Sequence, residues 1–158
     1  MATVERFEDL LCWKRARELT AEVYKVFKGN SDRGFTDQIQ RASVSVMSNI
    51  SEGFESGTRD MFVNYLYIAK GSAGEVRAQL YAAQDIGYLN IEKFEFLKKK
   101  AEECSKLLNS FTKAVKSSPH GGLQRRKELT KREQDAEVFL AEARLKLAKI
   151  HPEIYGKK

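Results

Sequence analysis

This sequence of 158 residues predicts an all-α fold: an antiparallel four-helix bundle with an extra C-terminal helix. Three observations predict it. Two long segments carry apolar residues at heptad-like spacing on one face. Turn and capping residues fall between the periodic stretches. The connections left between them are short, which favours antiparallel neighbours.

The first helix is expected over residues 8–28, with Leu10, Trp13, Ala16, Thr20, Val23 and Phe27 on its apolar face. It ends at Lys28-Gly29-Asn30, where Gly29 suits a left-handed C-terminal cap. The second is expected from Thr36 to Phe54, with Ile39, Ala42, Val46, Ile50 and Gly53 on one side. Thr36 is its expected N-cap, Asp37 suits the first turn, and Gly53 and Gly57 bracket the exit. The third covers 58–86, where Phe62, Leu66, Ala69, Ala73, Val76, Leu80 and Ala83 repeat at spacings of 4 and 3. The fourth covers 90–116, capped by Asn90, with Phe94, Leu97, Ala101, Cys104, Leu108, Phe111 and Val115 in the same rhythm. Each long stripe keeps one apolar face for about four heptads, the seam of a bundle rather than of strands.

Ser117-Ser118-Pro119-His120-Gly121-Gly122 then breaks the pattern. Beyond it, Leu129, Ala136, Leu140, Ala143, Leu147 and Ile150 resume heptad spacing, with Glu133 in a seam position and Pro152 past the end. A fifth helix over 124–150 is expected, marginal alone because its Ala/Leu face is thin. The expected organisation is a bundle over 1–116, a linker over 117–123 and a basic helical extension over 124–158. The two long helices outreach the two short ones. Tyr65, Tyr67, Tyr81, Phe96 and Leu107 lie off or beside the main stripes, so a second copy of the chain is an expected partner.

Composition excludes several classes. The chain is 42% hydrophobic and 32% charged with two prolines, unlike a disordered or collagen-like chain. No apolar run approaches the roughly 18 residues of a membrane span, and the N-terminus lacks signal-peptide order, so a cytoplasmic protein without membrane contact is expected. Cys12 and Cys104 form no CxxC, and a disulfide between them is disfavoured in a reducing cytosol. His120 and His151 are the only imidazoles. No Glu-x-x-His pair, nucleotide-binding glycine motif or nucleophile motif occurs, so the expectation is a non-enzyme with no metal, no cofactor and no catalytic residue.

The net charge of +6 is uneven. Residues 1–117 carry 18 basic and 16 acidic side chains, and residues 118–158 carry 10 and 6. A basic tail on a near-neutral body suits polyanions. Lys14 and Arg17 on the first helix, Lys70 and Arg77 on the third, and Arg125 and Arg126 in the tail are the expected phosphate contacts. The bland alternative is a solvated face with local pairs such as Lys14–Glu18 and Glu22–Lys25. No helix-turn-helix, RRM or zinc finger is present, so backbone contact with RNA or single-stranded DNA is expected rather than base reading.

A polar set stands apart. Gln38, Arg41, Ser45, Asn49 and Glu52 share a face of the second helix, and Ser72 and Glu75 lie beside the third helix's stripe. One reading is a pocket with Glu52 and Glu75 as acids. The other, preferred here, is a buried hydrogen-bond network, for instance with Arg41 pairing a carboxylate, that fixes register. Gly71 and Gly74, costly mid-helix, are expected to mark close helix approach.

Several stretches resemble a known family: Phe7 to Ala16, Gln38 to Ser45, Asn49 to Gly53, Tyr65 to Ser72, and Glu75, Gln79-Leu80 and Gly87-Tyr88. The chain resembles the bacterial four-helix-bundle proteins encoded in intervening sequences of large-subunit ribosomal RNA genes. The resemblance covers about residues 7–115 and implies a ring-like homopentamer. It also implies kinship with the accessory variability determinant of diversity-generating retroelements, and hence a reverse transcriptase as a candidate partner. It assigns the polar set no catalytic role, so these positions are carried over with a structural one. The extension after residue 116 departs from the family pattern.

Overall fold

The computed structural model describes residues 4–118 and, further along, 138–143, 145, 146 and 149. Four helices account for most of the first stretch: α1 (Leu11–Val26), α2 (Arg33–Glu55), α3 (Arg59–Asp85) and α4 (Ile91–Ser117). No strand occurs among the described residues. Each helix packs on its neighbours in the cyclic order α1, α2, α3, α4, and the backbones of the diagonal pairs stay apart. The later described residues are helical and fall inside the expected fifth helix; its remainder, most of the expected linker, and Arg125 and Arg126 lie outside the described residues. The chain divides into two compact units, Met1–Arg125 and Arg126–Lys158.

Local chemistry sets the helix ends, with two corrections. The first apolar segment is not one helix. A 3₁₀ turn, Phe7–Asp9, comes first, and Leu10 is extended (φ −66°, ψ 126°) before α1 begins. The N-cap of α2 is Asp32 rather than Thr36: its carboxylate accepts from the Phe35 amide at 3.0 Å. The Tyr88 hydroxyl also donates to Asp32, at 2.8 Å. These two hydrogen bonds hold the Asp32 carboxyl below its usual range. Thr58 and Asn90 cap α3 and α4 through the amides of Met61 and Lys93. Gly29 has φ +84°, the left-handed conformation expected after α1.

The apolar stripes meet in one core. Leu19, Ile39, Ile50, Leu66, Leu80, Leu97 and Leu108 are fully buried within it. Each such side chain contributes about 1.5–3 kcal/mol before entropy is counted. Edge-to-face aromatics close both ends. Trp13, Phe7, Phe54, Phe62 and Phe111 form a chain with centroid spacings of 5.2, 6.4, 5.9 and 5.8 Å. At the other end Phe35 touches Phe27 and Tyr88, at 5.8 and 5.5 Å. The first cluster joins the start of α1 and α3 to the end of α2 and α4, which is the antiparallel order. Cys12 and Cys104 are free and buried, and burial pushes their thiols up to about 11 and about 12.

Close helix approach occurs at Gly53, not at Gly71 or Gly74. A Cβ at Gly53 would stand 2.6 Å from Tyr65 Cβ and 2.9 Å from Phe62 Cδ2, whereas at Gly71 and Gly74 it would meet nothing within 4 Å. Exposure also revises the off-stripe set. Tyr67, Tyr81 and Phe96 are about half exposed, but Leu107 packs against its own core.

Candidate nucleic-acid interface

α3 lines two grooves, and the residues singled out by sequence divide between them. In the α2/α3 groove the Ser45 and Ser72 hydroxyls are 2.9 Å apart. Asn49 Nδ2 donates to the Ser45 carbonyl at 2.7 Å and to its hydroxyl at 3.0 Å, and Ser72 donates to the Ile68 carbonyl at 3.1 Å. Nearer the end, the Tyr65 hydroxyl donates to Glu52 at 2.9 Å, and this bond raises the phenol's pKa. These contacts pair with one another, but Gln79 Oε1, seven residues on from Ser72 on the same face of α3, is buried without a hydrogen-bond partner.

The rest of the polar set does not join them. Gln38 is exposed. Arg41 is exposed too and faces Asp37 at 3.8 Å, so it is not a buried partner of a network carboxylate. Glu75 is exposed and accepts from Gln79 of its own helix at 3.4 Å. Glu52 lies opposite Tyr65, ten residues from Glu75, so the two carboxylates stand about 15 Å apart along the axis. They cannot act together on one atom.

The α3/α4 groove is different. Lys70 Nζ donates to Asn109 Oδ1 at 3.0 Å, and Lys116 Nζ donates to the Tyr67 hydroxyl at 2.8 Å. The Lys116 bond lowers the Tyr67 phenol's pKa. Tyr81 packs edge-on against Phe94, with centroids 5.0 Å apart. Arg77 Nε and Ser105 Oγ are buried without a hydrogen-bond partner. Sequence reasoning identified Lys70 and Arg77 but missed Ser105 and Asn109. Their only signal is a place beside the seam positions Ala101 and Leu108.

Lys14 and Arg17 stand exposed on α1, diagonal to α3, so one chain does not gather them with Lys70 and Arg77. Arg17 lies over the Trp13 ring, 5.9 Å from its centroid. The expected local pair Glu22–Lys25 is present at 2.7 Å. Glu18 instead pairs with Arg15, at 2.9 Å, and with Lys100, at 3.8 Å. Among the described residues Lys14, Arg17, Lys70 and Arg77 form no ion pair with a carboxylate. No group of metal-binding side chains occurs among those residues, and no helix there is long and apolar enough to cross a membrane.

Fold and surface together define a small antiparallel four-helix bundle. The chain belongs to the 23S rRNA-intervening sequence protein family, whose model matches residues 8–110. It is similar to a crystal structure from Bacteroides thetaiotaomicron, described as a protein of unknown function from the S23 ribosomal protein family. That similarity has 25% identity and a TM-score of 0.61, covering 65% of this chain and 96% of the other. No curated protein matches the chain.

Proposed function

We propose that this protein is a non-enzymatic, self-associating helical bundle that binds RNA or single-stranded DNA through phosphate contacts, as an accessory or scaffold subunit. One observation carries the reading: Lys14, Arg17, Lys70 and Arg77, four of the six cations singled out by sequence, form no ion pair with a carboxylate among the described residues. Unpaired cations on a rigid surface are what a polyanion needs. Exposed Leu11, Ile68 and Phe96 support self-association, which repeats the basic tracks around the assembly. A homopentamer and a cytoplasmic location complete the proposal.

Filter binding tests it. Four phosphate contacts per chain on a single strand give a log K against log salt slope of about −3. No retention of RNA or single-stranded DNA at about 50 mM salt overturns the binding. A native mass equal to one chain overturns self-association, and turnover of a small molecule at a defined pocket overturns the non-enzymatic assignment.

A second reading is a protein adaptor for a partner such as a reverse transcriptase, in keeping with kinship to the retroelement accessory determinant. It is favoured by exposed Val138, Phe139, Leu140 and Leu145 in the C-terminal unit. Deleting residues 118–158 separates the two: an adaptor loses its partner while the bundle stays folded.

A further inference from the structure

We infer that the α3/α4 groove is a track for single-stranded nucleic acid, with Tyr67 and Tyr81 as stacking platforms and Lys70 and Arg77 as the phosphate contacts between them. The inference rests on the nucleic-acid reading above and narrows it to one groove and to unpaired strands.

Tyr67, Lys70, Gly74, Arg77 and Tyr81 recur at spacings of 3 and 4, so they share one side of α3. That side faces α4, because Tyr67, Lys70 and Tyr81 touch Lys116, Asn109 and Phe94. The same contacts fix an antiparallel register that sets Gly74 across from Ser105. There the absent side chain leaves a notch, since a Cβ at Gly74 meets nothing within 4 Å. Two buried donors without acceptors belong to this stretch, Arg77 Nε and Ser105 Oγ. The open space lies one turn from both Lys70 and Arg77, so an anionic oxygen there stands beside two cations.

The platforms give the strandedness. Tyr67 is 47% exposed and Tyr81 51%. They are four helical turns apart, about 21 Å. At the stacked spacing of about 3.4 Å that span holds about six nucleotides. Aromatic faces at the ends and cations between them serve a strand whose bases are free to stack. A duplex keeps its base faces in its own stack and is held by the cations alone. Lys98 and Lys116 extend the positive charge at the two ends. Glu95, bonded to Lys98 at 2.8 Å, and Glu102 are the acids beside Lys98. They weaken the field there, and Glu102, which the same register sets across from Arg77, leaves Lys70 the less opposed of the two cations.

The test is fluorescence anisotropy on the full chain with end-labelled probes of about 12 nucleotides, twice the span of the groove. One probe is single-stranded RNA, one is single-stranded DNA and one is a blunt duplex of the same sequence. Both single strands are expected to bind at least about ten-fold tighter than the duplex, with Tyr67→Ala and Tyr81→Ala each weakening them by about 5- to 150-fold. Tyr67→Phe and Tyr81→Phe, which keep the ring, stay close to the parent. Gly74→Glu guards against loss of folding, because it removes no contact and fills open space with a carboxylate. It is expected to weaken single-strand binding by about ten-fold or more, while Gly71→Glu, the same charge on the outward side of α3, changes it far less. Equal affinity for duplex and single strands, or parent-like affinity in both alanine variants, overturns the groove but leaves the broader binding intact. Failure to bind any probe overturns both.

Discussion

The two grooves that flank α3 use similar polar residues to opposite ends. Against α2, two serines, an asparagine and a Tyr–Glu pair satisfy one another, and Gly53 lets the helices meet at backbone distance. Against α4, the small residue is Gly74, but nothing fills its space, and two buried donors are left over. Satisfied polar groups at a helix interface fix register and rigidity. Buried atoms without partners occur on both sides of α3, so what sets the α4 side apart is Lys70 and Arg77 beside the open space at Gly74. The comparison teaches that charge and open space, rather than unpartnered hydrogen-bonding atoms, distinguish the two seams.

The sharpest break of this contrast is the same substitution made on both sides. Gly53→Ala places a methyl group against Tyr65 Cβ, an atom fixed to the α3 backbone. A destabilisation of about 2 kcal/mol is expected in urea melts, overpacking outweighing the gain in helix propensity. Parent-like stability there would refute the close approach. Ser72→Ala removes the hydroxyl that meets Ser45 across the groove and is expected to cost about 1 kcal/mol. Gly74→Ala carries the opposite sign: with no clash to meet, it stabilises by up to about 1 kcal/mol, and a loss would mean the notch is already filled.

The smallest effect is a pH signature that distinguishes the two grooves. Tyr65 is raised by its bond to Glu52, so its contribution is present below the ordinary phenol range and is lost as pH rises through its folded value. Tyr67 is lowered by Lys116, so its contribution is present above the ordinary phenol pKa and is lost as pH falls through its folded value. Alkaline stability profiles of Tyr65→Phe and Tyr67→Phe are therefore expected to depart from the parent in opposite directions. Departures of the same sign would remove the electrostatic contrast.

The helices were legible because a 3.6-residue period survives any tertiary context, and the caps Asn90 and Gly29 act locally. Thr36 misled although Asp32 caps α2 through a local bond to the Phe35 amide, a signal the sequence carries; what it does not carry is the second hold on that carboxylate, from Tyr88. Spacing placed Arg41 on the face of Ser45 and Asn49 but could not show that this arc rolls outward into solvent. Glycines followed the same logic. The sequence marks them as mid-helix, yet only register says that Gly53 meets a neighbour and Gly74 does not. Lys70 and Arg77 were legible as cations, whereas Ser105 carries no signal until α4 lies against α3.

Cys12 on α1 and Cys104 on α4 sit in the seam that joins the first helix to the last, and both thiols are held in their unreactive, protonated form. An intact bundle is therefore dark to a thiol-reactive dye. The pace at which colour develops reads how often α1 lifts away from α4, without any label having been engineered into the chain.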